Sequence, residues 1–326
     1  MPGPSLITGA TGFAGSHLLE RLIAHGETVH TWGHTEQSLP RHRSAGAAAG
    51  HHTAEAGAGA SVVWRSVDLL DRAAVREALD AARPSIIYHC AGFADTQDAS
   101  RTPARALRVN VVGTHHLFEA ARDLGLACRV LVTGSAQVYR PQTTRISEDD
   151  ALGPANPYGV SKLAQEMTAE ASPIPAWLVR PFNHAGPRQS PAYATSAFAQ
   201  QIAGIEAGRL EPVLHVGNLD AQRDITDVRD TVRAYHAIAG SGHARRPYNV
   251  CSGRAHTMRR LLDMLLSLAR VRVRVEVDPA RLRPSDNPVI LGSHARLTAD
   301  TGWTPVIPIE QTLADLLEHW RRAAAV

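Results

Sequence analysis

The chain has 326 residues, of which 44% are hydrophobic, so it is long enough for one large α/β unit or two lobes. No apolar run reaches the roughly 18 residues of a membrane span, and the N-terminus lacks the charged segment and apolar core of a secretory signal. The three cysteines suit a reducing compartment. We therefore expect a cytoplasmic protein without a membrane partner. The net charge of +3 comes from interspersed residues with no basic stripe, and none of the 17 histidines has a zinc-binding spacing, so we expect neither nucleic acid nor a metal ion as a partner.

The first predicted element is a short buried strand, residues 6–8, which runs directly into a glycine-rich turn. Glycines recur with the spacing G-x-x-G-x-x-G, and helical periodicity follows from Ser16. Glycines between a strand and a helix allow a tight turn, and the helix N-terminus presents free N–H groups to a diphosphate. We therefore expect dinucleotide-binding residues here, namely Gly9, Thr11, Gly12, Phe13, Ala14 and Gly15. A glycine-rich turn without a ligand is the alternative.

The end of the second predicted strand, residues 28–32, bears on the choice of cofactor. A carboxylate at this point commonly binds a ribose 2′-OH, whereas residues 33–35 carry none and Arg41 and Arg43 follow. This favours a 2′-phosphate, and hence NADP(H), with His34 as a contact, although the same residues equally fit a solvated loop. Residues 36–60 are rich in Ala, Gly and His, a low-complexity composition that predicts a surface loop.

Two further strands are predicted to approach the same site. The strand that begins at residues 62–64 ends at Asp68 and Leu69, where Asp68 is placed either to reach an adenine or to cap the helix predicted over 71–82. The strand over 85–92 ends in Ala91 and Gly92, and small residues there let a cofactor lie against the strand end. Helical periodicity over 103–124 includes Asn110, a polar residue in an apolar stretch, which needs a buried partner on a neighbouring strand.

The segment 157–162 contains the only lysine of the chain, Lys162. Tyr158 lies four residues earlier, so both side chains share one face if the segment is helical. An ammonium beside a phenol lowers the phenol pKa, which would make Tyr158 a proton donor and acceptor near neutral pH. Ser135, which follows the strand predicted over 129–133, would lie at the same edge of the sheet. A surface helix with an incidental Tyr and Lys is the alternative.

The alternation of strands and helices predicts a Rossmann-type doubly wound parallel sheet, in which ligands lie at the carboxyl ends of the strands. After the sixth predicted strand, residues 177–181, the pattern becomes irregular. We therefore predict an α/β protein with an NAD(P)-binding Rossmann domain of residues 1–181, to which 225–251 return. Residues 182–224 and 252–326 would form a smaller α/β substrate-binding lobe.

The glycine turn, Ser135, Tyr158 and Lys162 together resemble an extended short-chain dehydrogenase/reductase of the nucleotide-sugar group. Residues 217–224 are similar to a segment of the GDP-mannose 4,6-dehydratases. Segments 180–184, 249–253, 278–281 and 292–297 are most similar to the GDP-4-keto-6-deoxy-D-mannose reductases. The resemblance covers nearly the whole chain except the insert near residues 36–60.

The resemblance implies reduction of the C4 ketone of a GDP-linked 4-keto-6-deoxyhexose by NADP(H) or NAD(H). It assigns the chemistry to Ser135, Tyr158 and Lys162, and adds Pro181 to the cofactor contacts. It also implies a homodimer formed through the helices around residues 103–124 and 157–171. The substrate contacts that it implies are Gln137, Asn183, Arg223, Arg283 and Asp286.

The identity of residue 137 separates the possible reactions. The dehydratases carry an acid at this position, which removes the C5 proton, and an amide cannot act as that base. Gln137 therefore disfavours a 4,6-dehydratase without establishing reduction. An NAD-dependent nucleotide-sugar 4-epimerase would use the same residues, and a cofactor-binding scaffold without turnover would need no phenol.

Overall fold

The computed structural model describes residues 3–33, 51–55, 61–282 and 287–325. Its strands are β1 (Ser5–Thr8), β2 (Val29–Gly33), β3 (His51–Glu55), β4 (Ser61–Ser66), β5 (Ile86–His89), β6 (Arg129–Thr133), β7 (Ala176–Pro181), β8 (Asn183–Ala185), β9 (Val213–Val216), β10 (Gln222–Asp227), β11 (Pro247–Val250), β12 (Ala255–Thr257), β13 (Arg274–Val277) and β14 (Val289–Ile290). Its α-helices are α1 (Phe13–Ala24), α2 (Arg72–Ala82), α3 (Thr96–Arg101), α4 (Pro103–Leu107), α5 (Gly113–Asp123), α6 (Pro157–Glu170), α7 (Ala194–Glu206), α8 (Val228–Ser241), α9 (Met258–Ser267), α10 (Ala295–Thr301) and α11 (Ile309–Ala324). None of the described helices combines the length and the hydropathy that crossing a bilayer requires.

The large sheet has the strand order β11-β7-β6-β5-β1-β2-β4-β3. The strands from β11 to β4 pair in parallel, and β3 adds an antiparallel strand at the edge. The predicted Rossmann-type parallel sheet is therefore confirmed. One local prediction was wrong: the segment 36–60, expected to be loop throughout, contains β3 at residues 51–55, which pairs with β4 through its backbone.

Helices cover both faces of this sheet, which is why its central strands read as continuous apolar runs rather than alternating ones. Successive residues of a strand point to opposite faces. In β6, Leu131 packs into the cluster beneath α1 and α8, whereas Val130 and Val132 pack into the cluster beneath α2, α5 and α6. With apolar side chains on both faces, the sheet is held rigid and the strand ends that carry the polar residues are fixed.

The remaining elements form a smaller α/β unit beside the carboxyl edge of the large sheet. Strand β10 pairs with β12, β14 and β8, and β13 pairs with β9. Helices α7, α9 and α11 enclose a separate apolar cluster that includes Phe198, Leu262 and Leu316. Between these parts, the chain returns to the large sheet through α8 and β11, where Tyr248 pairs with Val179 of β7.

The helix predicted over 103–124 is interrupted by a π-helical turn, Arg108–Val112, between α4 and α5. Asn110 is fully buried inside this turn. Its Oδ1 accepts a hydrogen bond from the Phe93 N–H at 2.7 Å, and its Nδ2 donates to Ser161 Oγ at 2.9 Å. The turn follows from these tertiary partners, because the extra residue in the turn aims the amide at the segment after β5.

Candidate active site

The glycine turn after β1 has the geometry of an anion-binding site. Gly9 has φ of +71°, and a Cβ there would lie 2.7 Å from the Ala91 N atom. A Cβ on Gly15 would lie 2.2 Å from the Gly9 carbonyl oxygen, so the first turn of α1 packs directly on the loop. Gly12 precedes α1 without a side-chain cap. The first N–H groups of α1 are therefore left for a ligand such as a diphosphate, which fits a dinucleotide.

A cavity of about 980 Å³ opens along the carboxyl ends of the parallel strands. It is lined by every predicted cofactor residue within the described part of the chain: Gly9, Thr11, Gly12, Phe13, Ala14, Gly15, Asp68, Leu69, Ala91, Gly92, Tyr158, Lys162 and Pro181. His34 lies outside the described residues, as do Glu36, Arg41 and Arg43. Residues of both the glycine turn and α6 line this one cavity, so a single ligand in it can contact both, as a dinucleotide requires.

The N-terminus of α2 distinguishes between the two roles predicted for Asp68, a helix cap and a contact to an adenine. Asp71, rather than Asp68, caps this helix and accepts hydrogen bonds from the Ala73 and Ala74 N–H groups at 3.0 Å. Asp68 lies at the wall of the cavity, where its Oδ1 accepts from the Leu70 N–H at 2.9 Å. The carboxylate thus has a second oxygen that can accept a hydrogen bond from a ligand.

Substituting Asp71 should affect mainly stability, whereas substituting Asp68 should affect mainly cofactor affinity. Asp71→Ala removes a helix cap and should lower the free energy of unfolding by about 1 kcal/mol without changing cofactor affinity. Asp68→Ala should weaken NAD(P)H binding by about tenfold, the equivalent of one hydrogen bond, and change stability less. Urea unfolding and fluorescence titration of the nicotinamide measure the two effects. Equal cofactor affinity in both variants would show that Asp68 is only a loop residue.

Ser135, Tyr158 and Lys162 all line the same cavity. Helix α6 begins with Pro157 at its first position, and Asn156 caps it by accepting the Gly159 N–H at 2.9 Å. Tyr158 is 9% exposed and Lys162 is 4% exposed, so both side chains are held in protein packing. Ser135 follows β6, and its Oγ accepts the Gln137 N–H at 3.1 Å.

The electrostatics of the pair differ from the expectation that Lys162 lowers the pKa of Tyr158. Burial raises the pKa of Tyr158, and the Ser135 hydroxyl only partly offsets this rise. The Lys162 ammonium instead donates to the Thr133 carbonyl oxygen and to Gln165 Oε1, both at 2.9 Å. Burial lowers the pKa of Lys162 to about 8. The phenol is therefore in its proton-donating form at neutral pH.

A second cavity of about 690 Å³ adjoins the first and extends into the smaller unit. Gln137 and Asn183 line both cavities, and Arg223 lines the second. Gln137 is held in place because its Oε1 accepts a hydrogen bond from Asn156 Nδ2 at 2.8 Å. Arg223 donates from Nη1 to the Gln222 carbonyl oxygen at 2.8 Å. Arg283 and Asp286, the other two predicted substrate contacts, lie outside the described residues.

Several lining residues escaped the sequence analysis. Tyr193 lines both cavities, and its hydroxyl donates to the Ala94 carbonyl oxygen at 3.3 Å. Asn156 orients Gln137 while capping α6; an Asn directly before Pro is a recognisable helix start and could have indicated it. Arg105 and Arg108 line the first cavity from α4 and the π-helical turn. In the described ranges, no three His, Cys, Asp or Glu side chains are grouped as metal ligands.

Comparisons with known proteins agree with this geometry. A family model described as GDP-mannose 4,6 dehydratase matches residues 6–316. The chain is 38% identical over 244 residues to GDP-6-deoxy-D-mannose reductase of Pseudomonas aeruginosa, covering 73% of this chain and 80% of that protein. It is 29% identical over 322 residues to UDP-glucose 4-epimerase of Mycolicibacterium smegmatis, covering 97% and 98%. The structure of RMD from Pseudomonas aeruginosa complexed with NADPH aligns with a TM-score of 0.82 at 31% identity, over 98% of this chain and 100% of that chain.

Proposed function

Because the chain belongs to the GDP-mannose 4,6-dehydratase family of extended short-chain dehydrogenases/reductases, we propose that it reduces the C4 ketone of a GDP-4-keto-6-deoxyhexose with NADPH or NADH. The product would be the corresponding GDP-6-deoxyhexose. The likeness to a reductase at 38% identity supports this reaction over the others that the family includes.

The proposal rests on the chemical nature of the side chains that line the first cavity. Among the described residues that line it, Asp68 is the only carboxylate, and it lies in the turn between β4 and α2. Gln137 stands beside Ser135 and Tyr158, and its amide cannot remove a proton from carbon. The cavity therefore offers hydroxyl donors without a carboxylate base next to them, which suits ketone reduction and not water loss.

The residues then have the following roles. NAD(P)H supplies the hydride when bound. Tyr158 donates a proton to the oxygen at C4, and Ser135 donates a hydrogen bond to the same oxygen as its negative charge develops. Lys162 uses two of its three N–H bonds on Thr133 and Gln165, so the third is available to the cofactor ribose.

Binding is divided between the two parts of the chain. We assign residues 1–181, with 225–251, to the cofactor, and residues 182–224 and 252–326 to the nucleotide sugar. The N–H groups of the glycine turn hold the cofactor diphosphate. Asn183 and Arg223 face the substrate diphosphate, for which a guanidinium has matching geometry, while Arg283 and Asp286 bind the nucleoside.

The proposal is tested by turnover with a defined substrate. GDP-mannose is first converted to its 4-keto-6-deoxy derivative by a separate dehydratase, which is then removed. We expect the purified protein to oxidise NADPH or NADH mole for mole with the GDP-6-deoxyhexose formed. If no reduced cofactor is consumed while the ketone remains, the proposal is wrong.

The likeness to UDP-glucose 4-epimerase makes epimerisation the second candidate. An epimerase returns the hydride to its substrate, so it needs no added cofactor and commonly retains tightly bound NAD. The reductase proposal predicts protein that is purified without stoichiometric NAD and that does not interconvert UDP-glucose and UDP-galactose. Stoichiometric bound NAD in the purified protein, together with interconversion of UDP-glucose and UDP-galactose, would favour the epimerase instead.

We also propose that the protein forms a homodimer through α4, the π-helical turn and α6. Four apolar side chains are exposed on these adjoining elements, namely Leu107, Val112, Val160 and Met167, which we call the helix patch. Val160 and Met167 are seven residues apart and share one face of α6. An apolar surface on packed neighbouring helices fits a second copy of the same face.

Met167→Glu should weaken this dimer by at least about tenfold, because it places a charge in an apolar interface. Met167 is 61% exposed in the single chain, so folding should not suffer. Sedimentation equilibrium measures the association constant. Val306→Glu is the matched control, since Val306 is 65% exposed and lies outside the helix patch. Equal association by both variants would refute this interface.

A further inference from the structure

A chain of buried polar side chains connects β1 to the lysine of the active site. Thr8, His89, Thr114 and Gln165 have no exposed surface, and Lys162 has almost none. Thr8 Oγ1 lies 2.8 Å from His89 Nδ1, and His89 Nε2 lies 2.9 Å from Thr114 Oγ1. Gln165 Nε2 donates to Thr114 Oγ1 at 3.0 Å, and Lys162 Nζ donates to Gln165 Oε1 at 2.9 Å.

The protons in this chain have one consistent arrangement. Thr114 Oγ1 donates its single proton to the Asn110 carbonyl oxygen at 2.6 Å, so it can only accept from His89 and Gln165. His89 therefore carries its proton on Nε2, and its Nδ1 accepts from Thr8. Burial lowers the pKa of His89 to about 3, which keeps the imidazole neutral. Since Gln165 donates to Thr114, its amide oxygen is directed at Lys162.

The described partners of the Lys162 ammonium are neutral oxygens, those of Gln165 and Thr133, and not a carboxylate. Glu166 is the nearest acid along α6, but Arg180 Nη2 donates to its Oε2 at 2.8 Å in a buried ion pair. Burial raises the pKa of the Cys90 thiol to about 12, so it is uncharged. The titratable groups that act on the charge of Lys162 are His89 and Cys90, from β5 and the residue after it, and Glu166 from α6. Tyr158 lines the same cavity as Lys162, and Arg180 from β7 pairs with Glu166. Among the described residues, the ammonium is thus held by neutral oxygens.

We propose that Gln165 is the positioning residue for Lys162: oriented by Thr8, His89 and Thr114, its amide oxygen holds the ammonium at the wall of the cavity. The other acceptor is the Thr133 carbonyl oxygen. Gly92 and Lys162 both line the cavity, and a Cβ built on Gly92 would lie 3.3 Å from Nζ, so the missing side chain at Gly92 leaves room for a ligand beside the ammonium. This inference rests on the proposed function, in which Lys162 binds the cofactor.

The series of hydrogen-bonded side chains that ends at Lys162 begins at Thr8, the residue directly before Gly9. Thr8 also accepts the Ala91 N–H through its Oγ1 at 3.2 Å, so the glycine turn, the end of β5 and the lysine belong to one hydrogen-bonded framework. A ligand that contacts both the turn and Lys162 would therefore meet two groups whose separation is already set.

The single lysine makes a direct test possible. Protein labelled with ¹³Cε-lysine gives one lysine signal, whose chemical shift against pH reports the pKa of Lys162 without assignment or turnover. Gln165→Leu removes an acceptor from the ammonium and should lower that pKa by about one unit. Gln165→Glu places a carboxylate there and should raise it by about one unit or more. NADPH affinity, from fluorescence titration, should fall about tenfold in the Leu variant.

Gln311→Leu is the matched control, because Gln311 is exposed on α11 and bonds to Asp315. It should leave the lysine titration unchanged. If Gln165→Leu does not fold, Gln165→Glu decides, since it keeps the shape of the side chain. An unchanged lysine pKa in a folded Glu variant would overturn the inference. The titration needs no substrate, so a shift in a protein without reductase activity would refute the proposed function and leave the positioning role intact.

Discussion

Replacing Tyr158 by phenylalanine is expected to lower kcat for ketone reduction by about 10²- to 10⁴-fold, the usual contribution of a positioned acid. Burial keeps the phenol protonated at neutral pH, so it is a proton donor, and a benzene ring in its place has no proton to give. The ring itself stays, so the packing of α6 and the affinity for NAD(P)H should change little. Steady-state oxidation of reduced nicotinamide and fluorescence titration of the cofactor measure both quantities.

Tyr248→Phe is the matched control for this substitution. Its hydroxyl donates to Asp300 Oδ2 at 2.7 Å and accepts from the His243 N–H at 2.9 Å, outside the cavity. Losing it should cost about 1 to 3 kcal/mol of stability and leave the rate unchanged. A Tyr158→Phe protein that turns over at the parent rate would remove Tyr158 from the chemistry.

Gly15→Ala is expected to weaken cofactor binding by at least about a hundredfold, because α1 can no longer pack on the glycine turn. The new Cβ would lie 2.2 Å from the Gly9 carbonyl oxygen, 2.9 Å from its carbon and 3.0 Å from the Ala10 Cα. These are backbone atoms, so no side-chain rotation relieves the contact, and the helix must move away with its N–H groups. Stability should also fall, by about 1 to 3 kcal/mol.

The control here is Gly240→Ala, near the end of α8, where an added Cβ would meet nothing within 4 Å. Alanine favours the helix over glycine by up to about 1 kcal/mol, so this variant should be equal to or more stable than the parent. Urea unfolding and NADPH titration of both variants give the comparison. Parent-like cofactor affinity in Gly15→Ala would mean that the turn does not hold the diphosphate.

The sheet was predictable because its strands are covered on both faces and therefore read as short apolar runs. Each run is followed by small or polar residues, so the sequence alone indicates the carboxyl edge of the sheet. Ser135 and Tyr158 were predicted at this edge from their places after β6 and at the start of α6, and both line the cavity. Short-range patterns were enough for these features, since each depends on neighbours within one strand–helix unit.

Features that depend on contacts between distant residues were not predictable in the same way. The π-helical turn exists because Asn110 bonds to Phe93 and Ser161, which are 17 and 51 residues away. The direction of the Lys162 ammonium depends on Gln165 and on the β6 carbonyl, which the four-residue spacing to Tyr158 does not reveal. Strand β3 lies in a low-complexity segment, where composition gave no periodicity to read.

The late return of α8 and β11 to the large sheet constrains how the protein can be made. While the ribosome has produced only the first 181 residues, β7 has an unpaired edge and the face of the sheet beneath α8 is bare. Both are covered only after the nascent chain has passed residue 250. The first 181 residues therefore cannot complete the large sheet ahead of the rest during synthesis, and we expect that they do not fold as an autonomous fragment.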